Sequence, residues 1–159
     1  MGVSGCGKST LGALLGDAMN CPFLEGDSFH APEAIEKMRG GQPLTDADRW
    51  PWLDRLGIAI ATASQTHGAA VAACSALRAV YRDRLRSAVG SQLRFVLLDN
   101  SREALLARLN NRPGHYMPAT LLDSQIATLE RPLPDAQTLI LTTDVAPDVL
   151  RDKVLDWLA

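Results

Sequence analysis

Apolar residues fall in two kinds of pattern along this chain, short near-continuous runs and longer stretches at helical spacing, and the two kinds alternate. The short runs are "PFLEGD", "AAVAAC", "LRFVLLD" and "TLILTTD". Each reads as a strand, and the last two are apolar almost throughout, as strands covered on both faces are. Helical spacing is predicted from Lys8 to about Asn20, from Ala31 to Arg39, around Leu53 to Gln65, around Arg78 to Val89, and from Arg102 to Arg112 behind the cap-like Ser101. In the closing segment "APDVLRDKVLDWLA", Val149, Leu150, Val154 and Leu158 recur at helical spacing with charges opposite, which predicts an amphipathic helix packed on the sheet. Strands alternating with helices in this way predict an α/β domain with a parallel sheet.

No repeat, low-complexity tract or linker interrupts the pattern, so residues 1–159 are expected to form a single domain. Charge adds little to that picture: 16 basic residues against 18 acidic ones leave a formal net charge of −2. No basic stripe interleaved with aromatics suggests a nucleic-acid partner. No apolar run approaches the roughly 18 residues of a membrane span, and no leader pattern opens the chain, so a cytoplasmic protein without a membrane partner is expected. Three cysteines, Cys6, Cys21 and Cys74, form no C-x-x-C pair, which disfavours both a disulfide framework and a zinc knuckle.

The first ten residues, "MGVSGCGKST", change the picture most. Gly2, Gly7, Lys8 and Ser9 fit the G-x-x-x-x-G-K-[ST] pattern, in which backbone N–H groups wrap phosphates, the lysine reaches the outer phosphate oxygens and the hydroxyl holds Mg²⁺. Thr10 and Leu11 run on into "LGALLGDAM", so a helix N-terminus would face the phosphates. Such a loop normally follows a buried strand, whereas only Met1 stands ahead of it. Four buried aliphatic residues would contribute on the order of 6–12 kcal/mol, comparable with the roughly 5–15 kcal/mol that stabilises a whole domain. The expectation is therefore a first central strand that is truncated, with residues upstream of Met1 supplying it.

In a parallel sheet, ligands bind beyond the carboxyl ends of the strands. Glu25, Asp27 and His30 cluster just after the first strand, and Asp48 and Arg49 follow a turn. Asp27 is thereby expected to face the terminal phosphate as the base that accepts a hydroxyl proton, and Glu25 to hold a Mg²⁺-bound water.

Six segments in order, "GVSGCGKST", "EGDSFH", "KMRGGQPLTDADRWPWL", "CSALRAVYRDRLR", "RPGHYM" and "LLDSQIATLERP", resemble the gluconokinases, small P-loop kinases that phosphorylate D-gluconate with ATP. The resemblance runs from Gly2 to about Asp135. It implies a three-layer P-loop kinase fold, a five-stranded parallel sheet with the loop's strand at its centre, a small lid at about residues 108–130, and a homodimer. It also implies that Gly5, Gly7, Lys8, Ser9 and Thr10 bind ATP and Mg²⁺, with Lys8 and Asp27 as the catalytic pair. His30, Arg49, Arg82 and Gln125 would line the gluconate pocket with Asp27, a donor set that suits a carboxylate bearing several hydroxyls. Arg108 and Arg112, four residues apart on one helix face, would reach over the nucleotide when the lid closes, with Gly114 beside Pro113 as a hinge.

Two positions depart from the family pattern: Arg78-Ala79 stands where a Lys-Arg pair is usual, and Cys6 replaces a common serine in the loop. Two other readings stay open. One is a related shikimate-kinase-like enzyme for another small metabolite. The other is a non-catalytic remnant with a truncated start, against which the retention of Lys8, Ser9 and Asp27 counts. A guanine-nucleotide switch is disfavoured because no N-K-x-D motif occurs.

Overall fold

The computed structural model describes residues 1–110 and 119–159. In chain order the elements are α1 (Lys8–Ala18), β1 (Phe23–Glu25), a 3-10 turn (Gly26–Phe29), α2 (Pro32–Arg39), α3 (Asp46–His67), β2 (Val71–Ala73), α4 (Ala79–Val89), β3 (Phe95–Asp99), α5 (Arg102–Asn110), α6 (Ala119–Thr128), β4 (Thr138–Thr142) and α7 (Pro147–Leu158). All four expected strands form. β1 pairs in parallel with β2, Phe23 lying opposite Val71, and β3 pairs in parallel with β4, Phe95 lying opposite Thr138.

The centre of the sheet differs from the five strands that the resemblance implied. Among the described residues there are four strands in two separate parallel pairs, and only Met1 and Gly2 join them. The Met1 amino group donates to the carbonyl of Val96 at 2.5 Å, and the Leu98 N–H donates to the Met1 carbonyl at 3.0 Å. That alternation is the ladder of a parallel strand. On the other side the Gly2 N–H donates to the Ser75 carbonyl at 3.1 Å. Ahead of Met1 the two pairs are separated by a cavity of about 490 Å³, walled by Val71, Ala72, Phe95 and Val96 and floored by Leu15 and Trp157.

Successive side chains on a strand point to opposite faces, and here they feed two separate apolar clusters. Val71, Val96 and Leu98 join Leu11, Leu105, Leu122, Leu150 and Val154 on one face. Ala72 and Phe95 join Trp52, Leu53, Leu56, Tyr81 and Leu85 on the other. Helices therefore cover both faces, giving the three-layer α/β architecture. No helix among the described residues is long and apolar enough to cross a membrane.

Three helices differ from their expected form. α3 begins at Asp46 rather than near Leu53 because Thr45 and Asp48 make a reciprocal cap: the Asp48 N–H donates to Thr45 Oγ1 at 3.3 Å and the Thr45 N–H donates to Asp48 Oδ2 at 2.9 Å. Pro51 is then carried inside the helix. α6 was not among the expected helices, although Leu122, Ile126 and Leu129 pack on the first cluster at helical spacing. In α7 Leu150 and Val154 are buried as expected, whereas Val149 and Leu158 are 41% and 40% exposed, so the packed stripe is narrower than the sequence pattern. The expected continuation of α5 to Arg112 lies outside the described residues, as do Gly114 and the "RPGHYM" segment.

Candidate active site

The glycine-rich loop ends in an unoccluded helix N-terminus. Gly7 is the N-cap of α1 with φ 98°, a left-handed conformation that favours glycine, and no side chain caps it. A Cβ at Gly7 would meet nothing within 4 Å, so the space in front of the helix is open. The first amides of the helix, from Lys8 to Thr10, therefore have no intrahelical carbonyl to bond, and Ser9 and Thr10 are exposed beside them. Gly5, at φ 80°, packs against Leu109 of α5, which ties the loop to that helix. Lys8 Nζ arches over the loop and donates to the Val3 carbonyl at 2.9 Å. This arrangement of free amides, an aligned helix dipole and a lysine fits the phosphates of a nucleotide.

Asp27 comes to the same edge through the 3-10 turn that leaves β1. The turn presses on β2 so closely that a Cβ at Gly26 would lie 2.2 Å from the Ala73 carbonyl oxygen. From the other side Trp52 Nε1 donates to the Gly26 carbonyl at 2.7 Å. The Asp27 side chain is 79% exposed and its Oδ1 lies 3.9 Å from Nε2 of His30. His30 itself is buried, and its Nδ1 has no hydrogen-bond partner among the described residues. Burial pushes the imidazole below its usual pKa and Arg49 and Arg55 add to that effect, while Asp27 opposes it. A neutral imidazole at neutral pH is the consequence.

Lys8, Asp27, His30, Arg49 and Gln125 line one cleft of about 250 Å³. Five candidate residues from four separate stretches of sequence are thus brought together at one cleft. Arg49 is steadied there by a 3.3 Å bond from Nε to the Leu44 carbonyl and by the Tyr81 ring, 5.4 Å from its guanidinium. Gln125 reaches the loop directly, its Oε1 accepting the Ser4 N–H at 2.7 Å.

The other expected site residues lie elsewhere. Arg82 is a correction: it is buried, with Nη1 donating to the carbonyls of Ala76 and Leu77 and Nη2 to that of Glu130, and it does not line the cleft. Its guanidinium is consumed in joining the start of α4 to the end of α6. Glu25 closes β1 opposite Ala73 and stands outside the cleft lining. Arg108, expected over the nucleotide, donates from Nη1 to Thr143 Oγ1 at 2.7 Å and from Nη2 to the Thr143 carbonyl, which ties α5 to the end of β4, and it does not line the cleft. Arg112 lies outside the described residues.

Cleft residues that the sequence reading missed are Ser4, Arg39, Ser75, Ser124 and Thr128. Arg39 had a signal, since it sits in the "KMRGG" stretch already singled out; it pairs with Glu36 at 2.8 Å on the exposed side. Thr128 follows from Gln125, three residues before it, once α6 is known to be a helix, and Ser124 follows from Thr128, four residues after it, because residues three or four apart share a face.

The shikimate kinase family description matches residues 4–158. A gluconokinase of Gluconobacter oxydans is 43% identical over 157 residues, spanning 98% of this chain and 86% of that protein. The chain belongs to the gluconokinase family. A crystal structure of a gluconokinase from Sinorhizobium meliloti superposes with a TM-score of 0.90 at 42% identity, covering 99% of this chain and 88% of that one. An adenylyl-sulfate (APS) kinase of Mycobacterium tuberculosis, solved with AMPPNP and APS, superposes at TM-score 0.71 and 23% identity over 99% of this chain and 94% of that one, a likeness of fold alone. Family membership and the shared fold agree with the P-loop kinase architecture described above.

Proposed function

We propose that this chain transfers the terminal phosphoryl group of ATP to a hydroxyl of D-gluconate, giving 6-phospho-D-gluconate and ADP. The observation that carries the reading is the convergence of Lys8, Asp27, His30, Arg49 and Gln125 on one cleft beside the open N-terminus of α1. The amides of Gly5, Gly7, Lys8, Ser9 and Thr10 hold the phosphates, and Lys8 moves from the Val3 carbonyl to the outer phosphate oxygens. Asp27, exposed at the cleft, accepts the proton of the attacking hydroxyl as the new oxygen–phosphorus bond forms and the bond to ADP breaks. Arg49, with Arg39 at the rim, supplies cations for the sugar-acid carboxylate.

Among the described residues no group of three His, Cys, Asp or Glu side chains could hold a metal ion by itself. The exposed Ser9 hydroxyl suits direct ligation of an ion bound largely by phosphate oxygens, and Glu25, outside the cleft lining, would act on it only through water. Mg²⁺ bound there supplies neutralisation of phosphate charge. In the same reading residues 108–130 form a lid from which Arg108 and Arg112 approach the nucleotide on closure, and the protein works as a cytoplasmic homodimer.

The test is coupled ADP release with ATP and Mg²⁺ on a panel of gluconate, shikimate, glycerate and no acceptor. Gluconate-dependent turnover is expected, falling by about 10²-fold or more in Asp27→Asn with the melting temperature unchanged, since the side chain is largely exposed. Turnover that does not depend on gluconate, or that survives in the variant, overturns the reading.

A further inference from the structure

Arg49 enters the cleft with its two terminal nitrogens unspent. Its guanidinium makes one bond among the described residues, from Nε to the Leu44 carbonyl at 3.3 Å, which leaves Nη1 and Nη2 without a protein acceptor. The neighbouring arginine contrasts with it. Arg78 gives Nη1 to Asp46 at 2.6 Å and Nε to Glu130 at 3.3 Å, so its fork is consumed in joining the starts of α3 and α4 to the segment just past α6. Both guanidinium groups lie against the same ring, Arg49 at 5.4 Å and Arg78 at 5.6 Å from the centroid of Tyr81.

Tyr81, on α4, is itself firmly held. It is buried in the second cluster, its hydroxyl donates to Asp46 Oδ1 at 2.5 Å, and the Trp50 ring meets it edge-on at 5.5 Å with the planes 75° apart. Burial, and after it the bond to Asp46, push the phenol above its usual pKa against the opposing charge of Arg49, so the hydroxyl keeps its proton and remains the donor. The ring therefore offers Arg49 a fixed face. A guanidinium lies favourably along such a face, whereas a bond at Nε alone leaves the rest of the fork free to swing about it. The Leu44 carbonyl and the Tyr81 ring together fix both its place and its aim.

We propose that Tyr81 is a positioning residue for the charged end of the phosphoryl acceptor: its ring holds the Arg49 fork aimed into the cleft and thereby sets the preference for a carboxylate-bearing acceptor over a neutral one. This rests on the functional reading above and deepens it. Tyr81 does not line the cleft, so it acts through Arg49 and not by touching the substrate. The rival role is a core residue that only packs α4 on α3.

The experiment measures kcat/KM for gluconate and for gluconamide, the same polyol with a neutral amide in place of the carboxylate. The proteins are the wild type, Tyr81→Phe, Tyr81→Leu and Tyr81→Met, with melting temperatures recorded for all four. The wild type is expected to prefer the acid by at least about tenfold, as a hydrogen bond between charged groups does. Tyr81→Phe keeps a ring face for Arg49 and is expected to keep that ratio, the lost bond to Asp46 showing only in the melting temperature. Tyr81→Leu and Tyr81→Met fill the space without a ring, and the unbranched methionine adapts to it if leucine does not fold. Either is expected to lose about fivefold of the ratio, through a higher KM for gluconate, with the KM for ATP and the kcat/KM for gluconamide unchanged. Equal falls on acid and amide assign Tyr81 to packing and overturn the proposal. A wild type without preference for the acid, or a ratio lost as far in Tyr81→Phe as in Tyr81→Leu, overturns it too. Failure of the functional reading shows differently, as wild-type turnover on another acid of the panel, and the ratio is then read on that acid and its amide. Absence of turnover on every acceptor overturns both.

Discussion

The imidazole of His30 lies flat on the indole of Trp52, ring centroids 4.2 Å apart and planes inclined by 17°. The same indole donates to the carbonyl of Gly26, the residue before Asp27. One buried side chain on α3 therefore supports both the imidazole of the cleft and the turn that carries the carboxylate. Trp52→Phe keeps an aromatic face for His30 but leaves the buried Gly26 carbonyl without its donor, at a cost of about 1–3 kcal/mol. Urea denaturation is expected to show that loss, and kcat is expected to fall with it because Asp27 is no longer held. A variant with full stability and full turnover contradicts this assignment.

Gly26→Ala tests the other side of the same turn. The added methyl would sit 2.2 Å from a backbone oxygen of β2, which has no flexible end to swing away. The strands must separate or the turn must rotate, and overpacking of that kind costs about 1–3 kcal/mol. Asp27 is displaced either way, so the expected result is a lower urea midpoint together with a loss of turnover greater than the loss of folded protein.

Glu130 caps a helix it does not belong to. α4 has no side-chain cap from its own N-terminal neighbour, and Glu130 accepts the Ala79 N–H from 51 residues away while also meeting Arg78 at 3.3 Å. The bond from the Ala79 amide is the main reason its carboxyl titrates below the usual value, with Arg78 adding to it. A lowered carboxyl contributes stability that is present above the ordinary glutamate pKa and is lost as pH falls through the folded value. Glu130→Ala is expected to lower the melting temperature at neutral pH and to converge on the wild type in acid. A constant difference across the pH range would place the effect in packing instead.

How far these relationships could be read from sequence depends on whether their signals were local. The loop "GVSGCGKST" and the strand runs are contiguous patterns, so Lys8, Ser9 and all four strands were legible, and Asp27 followed from its place at a strand end. The start of α3 was misread because Pro51 draws attention as a breaker, while the cap three residues apart at Thr45 and Asp48 outweighs it. Arg82 shows the limit more clearly. An arginine in "YRDRLR" has the same chemistry whether it faces a ligand or three carbonyls, and only the fold brings Ala76, Leu77 and Glu130 around it. The Trp52–His30 stack and the Ser4–Gln125 bond join residues 22 and 121 positions apart, and no spacing rule points to either.

The cavity ahead of Met1 makes a prediction that links stability to pH. Burial lowers the pKa of the Met1 amino group from 8.0 to about 6. A base whose folded pKa is depressed leaves stability intact above its unfolded value, and stability is lost as pH falls from 8 towards 6, where the unfolded chain takes the proton more readily. Two pH units correspond to about 3 kcal/mol. His30, also lowered, adds its own loss below its ordinary value of 6.5. Joining four residues such as Val-Leu-Val-Val ahead of Met1 would turn the amine into a neutral amide that still donates to Val96, and would set apolar side chains between Val71–Ala73 and Phe95–Val96. A Gly-Ser-Gly-Ser extension removes the charge and fills nothing. Both are expected to remove the Met1 share of the loss between pH 8 and 6, leaving that of His30, and only the apolar one to raise the stability measured by urea at about pH 9, by up to about 1.5–3 kcal/mol for each side chain fully buried. If the polar extension stabilises as much as the apolar one, the charge alone was the burden and the cavity does not act as a strand site.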